Sequence, residues 1–267
     1  MLSLKFGSKW VAVATSESLV GRQRHLRSLC CFSNHIHSNG LSSQYQIDVN
    51  SPLSSKHSLS LEGLEDVMVG YFFGKKKATE VAHSYVVWKC VVKKGDTVVD
   101  ATCGNGFDTL AMVKMVADES GSARVYAMDV QNEALESTSA LLDESLSEKE
   151  KKLVKLSSIC HSRMEDVVPE DSPVSLVAFN LGYLPGGNKA ITTKSETTLQ
   201  ALKAAHKILK PRGLISLVVY VGHPGGLEEL ETIENFSSDL AVENWICCKL
   251  QMLNRPLAPV PVFLFKR

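Results

Sequence analysis

Thr97-Val98-Val99-Asp100-Ala101-Thr102-Cys103-Gly104-Asn105-Gly106 is the stretch that decides the fold. Its first half is a short β-branched run of the kind that favours a strand, and its second half is a glycine turn. A helical run over residues 107–117 follows, and Arg124-Val125-Tyr126-Ala127-Met128-Asp129 reads as a second strand. Strand, glycine turn, helix and strand with a terminal acid make the first βαβ unit of a nucleotide-type α/β fold. In such folds the ligand sits where strand carboxyl ends meet a helix N-terminus.

The residue types at that crevice have mechanical reasons. Gly104 and Gly106 let the backbone take conformations closed to other residues and let a ligand come close to the main chain. Asp108 and Thr109 open the following helix, where exposed amides carry partial positive charge. Asp129 lies 23 residues beyond Gly106, near the offset of roughly 20 at which an acid grips ribose hydroxyls. Asp100, Thr102, Asn105 and Gln131 flank these groups and complete the candidate cofactor-binding set on this turn.

The acids also bear on which ligand is held. A dinucleotide turn wants a third glycine, but here the run is Gly104-Asn105-Gly106-Phe107-Asp108-Thr109. A pyrophosphate would meet Asp100 and Asp108 at close range, and like charges there repel. S-adenosylmethionine, with a sulfonium, an ammonium and no phosphate, suits the turn better than a nicotinamide dinucleotide.

Residues 98–106 resemble the first motif of class I S-adenosylmethionine-dependent methyltransferases. Asn180-Leu181-Gly182-Tyr183-Leu184-Pro185-Gly186-Gly187 and Tyr220-Val221-Gly222-His223-Pro224-Gly225-Gly226 resemble a narrower group. That group is the family labelled rRNA methylases, which includes the tRNA 5-aminomethyl-2-thiouridine methyltransferase of Gram-positive bacteria and its plant relatives. The similarity runs from about Lys77 to the C-terminus. It implies a Rossmann-like sheet of seven strands in the order 3-2-1-4-5-7-6, with only the last strand antiparallel and helices on both faces. Periodicity alone gives the α/β class.

The chain has 267 residues and no net formal charge, yet the charge is uneven. Residues 1–60 hold six Lys/Arg against two acids, which leaves 23 against 27 in the remainder. The first sixty residues are rich in serine, poor in acid and carry Arg22, Arg24 and Arg27. This is the character of an organellar transit peptide, with plastid ahead of mitochondrion. Residues 61–267 are then the methyltransferase domain. No apolar run is long enough to span a bilayer, so no membrane partner is expected. The seven cysteines include no C-x-x-C; those beyond the leader read as reduced, mostly buried thiols. No metal is expected.

Along the folded part, residues 64–73 form an apolar connector. Val81, Tyr85, Val86, Trp88 and Val92 recur at helical spacing in a helix ending near Gly95. A helix over 132–146, a charged loop over 147–152 and a strand over 153–159 follow. A strand is expected over 174–179, a capping box at Thr193 and Glu196, a helix over 195–209, and a turn at 210–213. A strand over 214–220, a helix over 227–240 and strands over 245–253 and 260–266 complete the chain.

Methyl transfer from a sulfonium is an in-line displacement, so the protein supplies proximity, alignment and a nucleophile with a free lone pair. Asn180-Leu181-Gly182-Tyr183 resembles the [D/N]-P-P-[Y/F/W] motif of amino-methylating enzymes, with both prolines replaced. The resemblance implies that Asn180 orients the substrate amine and Tyr183 packs on the base. An alkylamine with pKa about 10 is protonated at neutral pH and must be freed to attack. His223 is the candidate base and Asp108 a weaker one, although His223 could instead brace its turn. The resemblance implies that His161, just after the third strand, contacts the adenine of the cofactor; the competing reading is a histidine satisfied by local backbone. The expected substrate is the anticodon loop of an organellar tRNA, converted from 5-aminomethyl- to 5-methylaminomethyl-2-thiouridine, and assembly into homodimers is left open. Alternatives are an rRNA base methyltransferase, an NAD-dependent oxidoreductase and a catalytically silent RNA-binding module.

Overall fold

The computed structural model describes residues 64–82 and 85–267. The expected leader over residues 1–60 therefore lies outside the described residues. Three short helices come first, α1 (Leu64–Phe72), α2 (Ala78–Ala82) and α3 (Tyr85–Lys89). The nucleotide-type unit follows as β1 (Thr97–Asp100), α4 (Phe107–Val116) and β2 (Arg124–Asp129). Then come α5 (Asn132–Ser145), α6 (Glu148–Lys151), β3 (Val154–Ser158) and a 3-10 helix (His161–Asp166). The second half alternates β4 (Val174–Leu181), α7 (Ser195–Ile208), β5 (Leu209–Val219) and α8 (Gly226–Ser238), and ends in β6 (Trp245–Lys249) and β7 (Val260–Lys266).

The seven strands form one sheet in the order β3-β2-β1-β4-β5-β7-β6. β7 runs antiparallel to both β5 and β6, and the other pairings are parallel. The expected fold class is thus the one observed. Strands at the centre of such a sheet are covered on both faces, which is why β4 carries an unbroken apolar run. Successive residues face opposite ways. Val99, Val177 and Phe179 pack with Ala201, Leu202, Leu230 and Ile233 from α7 and α8. Val98, Leu176 and Ala178 pack with Trp88, Met112, Val116 and Leu142 on the other face. Completely burying one such side chain is worth about 1.5–3 kcal/mol. A smaller cluster joins Tyr71, Ala78, Val81 and Ala82 to Val218 of β5 and brings α1 and α2 against the outer part of the sheet.

Several local expectations change. Of the helix expected up to Gly95, the described residues hold α2 and α3, and the chain turns after Lys89, earlier than expected, where the Val91 and Val92 amides both donate to the Trp88 carbonyl. The connector over 64–73 is α1. The charged loop over 147–152 holds α6, with a capping box in which the Ser147 hydroxyl accepts from the Glu150 amide. The turn expected at 210–213 is the start of β5 instead. There the register against β4 shifts between Val174 and Leu176, where β5 carries three more residues than β4, and Arg212 among them takes a left-handed φ of 65°. The thiols beyond the leader are free, as expected, but not mostly buried: Cys103 is buried, Cys160 half-buried, and Cys90, Cys247 and Cys248 are exposed. Among the described residues no helix is long and apolar enough to cross a membrane, and no cluster of His, Cys, Asp and Glu could hold a metal ion.

Candidate active site

All four central parallel strands, β2, β1, β4 and β5, end on one rim, and so does β6. The segments that follow them converge there and divide into two halves.

The first half is the glycine turn after β1. Asp100 is only 2% exposed and works as the turn's internal brace. One carboxylate oxygen accepts from the Thr109 hydroxyl at 2.6 Å and the other from the Thr102 amide at 3.3 Å. Thr109 is fully buried. These two candidate contacts therefore shape the turn from beneath. The Thr102 hydroxyl accepts from the Asn180 amide at 2.7 Å and stitches β1 to β4 at the rim. Asp129 accepts from the Gly104 amide at 3.2 Å and from the Gln131 amide at 3.0 Å. It is half-buried, and each of its oxygens keeps a further lone pair for a diol. Gly106 caps α4 in a left-handed conformation, φ 85°. A Cβ there would lie 2.9 Å from Thr138 Cα, so α5 packs directly on the turn. Thr138 also donates from its hydroxyl to the Gly104 carbonyl at 3.0 Å. The Asn105 side-chain amide donates to the Pro185 carbonyl at 3.3 Å and ties the turn to the loop after β4.

The second half is aromatic. Asn180 is the second-last residue of β4, and its side-chain oxygen Oδ1 is buried with no hydrogen-bond partner among the described residues. Such an unmet acceptor ordinarily costs about 1–3 kcal/mol. Two residues on, Gly182 has φ 141°, and a Cβ there would lie 3.3 Å from His223 Nε2. The missing side chain is what lets the imidazole reach the backbone beside Asn180. The His223 ring meets Tyr183 edge-on at 4.6 Å between centroids and Tyr220 at 5.6 Å. Lys189 Nζ lies 5.5 Å from the Tyr183 centroid. His223, 40 residues after Tyr183 in sequence, is thus brought against Tyr183 and against Gly182, two residues from Asn180.

Tyr220 and Glu229 were not singled out by the sequence reading. Burial foremost, then the Asp108 carboxylate and Tyr183, push the Tyr220 hydroxyl above its ordinary pKa. Tyr220 sits inside the second motif, so its position was visible but its partners were not. Glu229, on α8, is 3% exposed. It accepts from the Thr198 hydroxyl at 2.6 Å and the Thr193 hydroxyl at 3.0 Å, and burial raises its pKa. Thr193 in turn accepts from the Gly182 amide at 2.9 Å. The expected capping box is therefore absent: Lys194 takes the N-cap position of α7 with no side-chain cap, because Thr193 is committed to Glu229. Nothing in the sequence marks an acid of an amphipathic helix as buried.

His161 stands apart from both halves. It is 6% exposed, its Nε2 lies 3.3 Å from the Thr197 hydroxyl of α7, and its ring meets Phe179 edge-on at 5.8 Å. Burial lowers its pKa to about 4. Its hydrogen-bond partner is thus a side chain 36 residues away on α7, not the local backbone that one of its two readings expects.

The sequence matches the family described as "Putative rRNA methylase" over residues 125–266. A protein of Arabidopsis thaliana named tRNA (mnm(5)s(2)U34)-methyltransferase, chloroplastic, is 66% identical over 216 residues, which cover 80% of this chain and 78% of that one. Two solved structures share the fold at useful identity. A protein of Clostridium thermocellum described as a "putative rRNA-methylase" is 36% identical, with a TM-score of 0.65 over 72% of this chain and 98% of its own. A methyltransferase from Streptococcus mutans, solved in complex with SAH, is 30% identical, with a TM-score of 0.61 over 72% of this chain and 99% of its own.

Proposed function

The chain belongs to the rRNA methylase family, and on that premise we propose that it methylates the 5-aminomethyl nitrogen of 2-thiouridine at the wobble position of chloroplast tRNA, with S-adenosylmethionine as donor. The tRNA, the position and the compartment follow the name of the Arabidopsis relative, and the donor follows the SAH-bound neighbour. The anticodon loop is then the part of the tRNA that enters the site, and residues 1–60 serve as the transit peptide.

The donor set fits the methyl donor. Asp129 offers free lone pairs to ribose hydroxyls, and the acids of the turn suit a ligand that carries positive charge and no phosphate. When bound, S-adenosylmethionine supplies an electrophilic methyl on sulfur, and its carbon–sulfur bond breaks as the carbon–nitrogen bond forms. Every other task falls to the chain. Asn180 Oδ1 accepts a hydrogen from the substrate amine and turns its lone pair toward the donor. Tyr183 gives the base a ring to pack on. His223, hemmed by two tyrosines and held against Gly182, takes the proton that an ammonium must lose before it can attack. The aromatic surroundings exclude water and favour the neutral amine.

One observation supports this reading above the rest: a buried acceptor on Asn180 with no partner among the described residues. Nucleoside mass spectrometry of tRNA incubated with the protein and S-adenosylmethionine tests it. Conversion of 5-aminomethyl- to 5-methylaminomethyl-2-thiouridine is expected; methylation confined to rRNA would redirect the assignment to the substrate that gave the family its label. Calorimetry with S-adenosylmethionine and with NAD gives the second check, and tight binding of NAD alone would sink the donor.

A further inference from the structure

A groove runs outward from the aromatic half of the site. Two adjoining cavities of about 430 and 340 Å³ share Tyr71, Gly74, Met252 and Arg255, and each falls in the range of ligand clefts, about 300–1,000 Å³. One wall is the end of α1 and the turn into α2; the other is the segment between β6 and β7. The Tyr71 hydroxyl donates to the Leu250 carbonyl at 3.4 Å and closes the floor. At its inner end the groove reaches Tyr220, whose ring lies 5.6 Å from His223. It therefore leads directly to the place where the target base is to sit.

Its chemistry is distinctive. Lys76, Lys77, Lys249 and Arg255 line it, and no Asp or Glu does, in a chain whose charges balance overall. The Arg255 guanidinium lies over the Gly74 backbone, with Nη1 3.4 Å from where a Cβ would stand. Lys76 pairs with Glu80 and Lys249 with Glu234, but both pairs are exposed, and exposed pairs are worth little against a competing phosphate. Neither Lys77 nor Arg255 makes an ion pair among the described residues. Phe72 and Phe73, at the outer lip, are 67% and 75% exposed. Large exposed aromatics interleaved with cations are the features on which single-stranded nucleic acid stacks its bases and seats its phosphates.

We propose that this groove binds the single-stranded RNA next to the methylated nucleotide, with bases on Phe72 and Phe73 and the backbone along Lys77 and Arg255. The assignment rests on the RNA-methyltransferase reading above and adds to it the surface that selects unpaired RNA.

The test uses the full chain, unmodified tRNA and S-adenosylmethionine, with two paired variants, Lys77→Ala/Arg255→Ala and Phe72→Ala/Phe73→Ala. Val242→Ser, an exposed apolar site just before β6 and so on the rim opposite the groove, is the control. Fluorescence anisotropy should show tRNA affinity falling at least tenfold in both groove variants. The slope of log K against log salt should fall by about 1.4 in the cationic variant, at roughly 0.7 per single-strand phosphate contact, and stay unchanged in the aromatic one. KM for tRNA should rise in step, with kcat at saturating tRNA and donor affinity within twofold of wild type. Groove variants that bind tRNA like the control, while the wild type methylates it, would overturn the groove alone. A wild type that neither binds nor methylates tRNA would overturn the groove together with the function it rests on.

Discussion

Replacing Asn180 with leucine should leave the protein more stable and nearly inactive. The side-chain oxygen of Asn180 is buried without a partner, and a group of that kind costs about 1–3 kcal/mol. Leucine has the same branched skeleton of four side-chain heavy atoms, somewhat bulkier, and no polar atom, so it removes that cost, less up to about 1 kcal/mol for imperfect fit. The bond that joins β4 to the glycine turn runs from the Asn180 backbone amide to Thr102, and the substitution leaves it in place. A net gain of about 1 kcal/mol corresponds to a rise of roughly 2–4 °C in Tm for a domain of this size. Turnover should fall in the opposite direction. A hydrogen bond to a group bearing charge is worth about 1.5–3 kcal/mol, or roughly 10- to 150-fold in kcat/KM at about 1.4 kcal/mol per decade. Differential scanning fluorimetry and single-turnover methylation of tRNA read the two quantities on the same preparation. A Tm several degrees lower, with activity lost in proportion to the unfolded fraction, would make Asn180 a structural residue. Full activity in the leucine variant would remove it from the chemistry.

Three further outcomes follow from contacts at the rim and beneath it. Asp129→Ala should weaken donor binding by roughly 1.5–3 kcal/mol in calorimetry, because it removes a charged acceptor and also frees the Gly104 amide from its anchor; unchanged affinity would take Asp129 away from the ribose. Gly106→Ala should cost about 1–3 kcal/mol, since its φ of 85° is unfavourable for alanine and the new Cβ would lie 2.9 Å from Thr138 Cα on the packed α5 backbone; denaturant melts that match wild type would show that α5 yields at little cost. His161 is held neutral by burial, with its pKa lowered to about 4 from an ordinary value of about 6.5. The unfolded chain therefore takes up this proton first as pH falls, so the stability is complete above about pH 6.5 and is lost toward pH 4, amounting to about 3 kcal/mol. A His161→Gln variant should show that much less acid sensitivity between those limits, and parallel pH profiles would place the acid-labile group elsewhere.

What the sequence disclosed and what it withheld divide along physical lines. The βαβ unit from Thr97 to Asp129 was legible because its signals are local: β-branched residues, two glycines and an acid at the strand end. β4 was legible because a strand buried on both faces needs a continuous apolar run. The strand order came through resemblance, since periodicity carries no information on which strands are neighbours. Misreadings arose where a distant partner outbid a local rule. Thr193 has the spacing of a helix cap, yet Glu229, 36 residues away, recruits its hydroxyl. Lys210 to Gly213 has the composition of a turn, yet pairing with β4 draws it into β5 and leaves Arg212 left-handed. Within the site, Asp100 and Thr109 were recognised as members of the turn, but only the fold reveals that they bond to each other below its surface.

The two halves of the rim differ in how they are held. The glycine turn is fastened from below by Asp100, from one side by Asp129 and from the other by Thr138. Across from it, residues 185–191 are exposed throughout, with only the Asn105 amide reaching over to Pro185. Substitutions in the glycine turn disturb several elements at once, whereas those in residues 185–191 meet mostly solvent. Evolution working on this scaffold is accordingly free to exchange the molecule that receives the methyl group while the molecule that gives it stays the same.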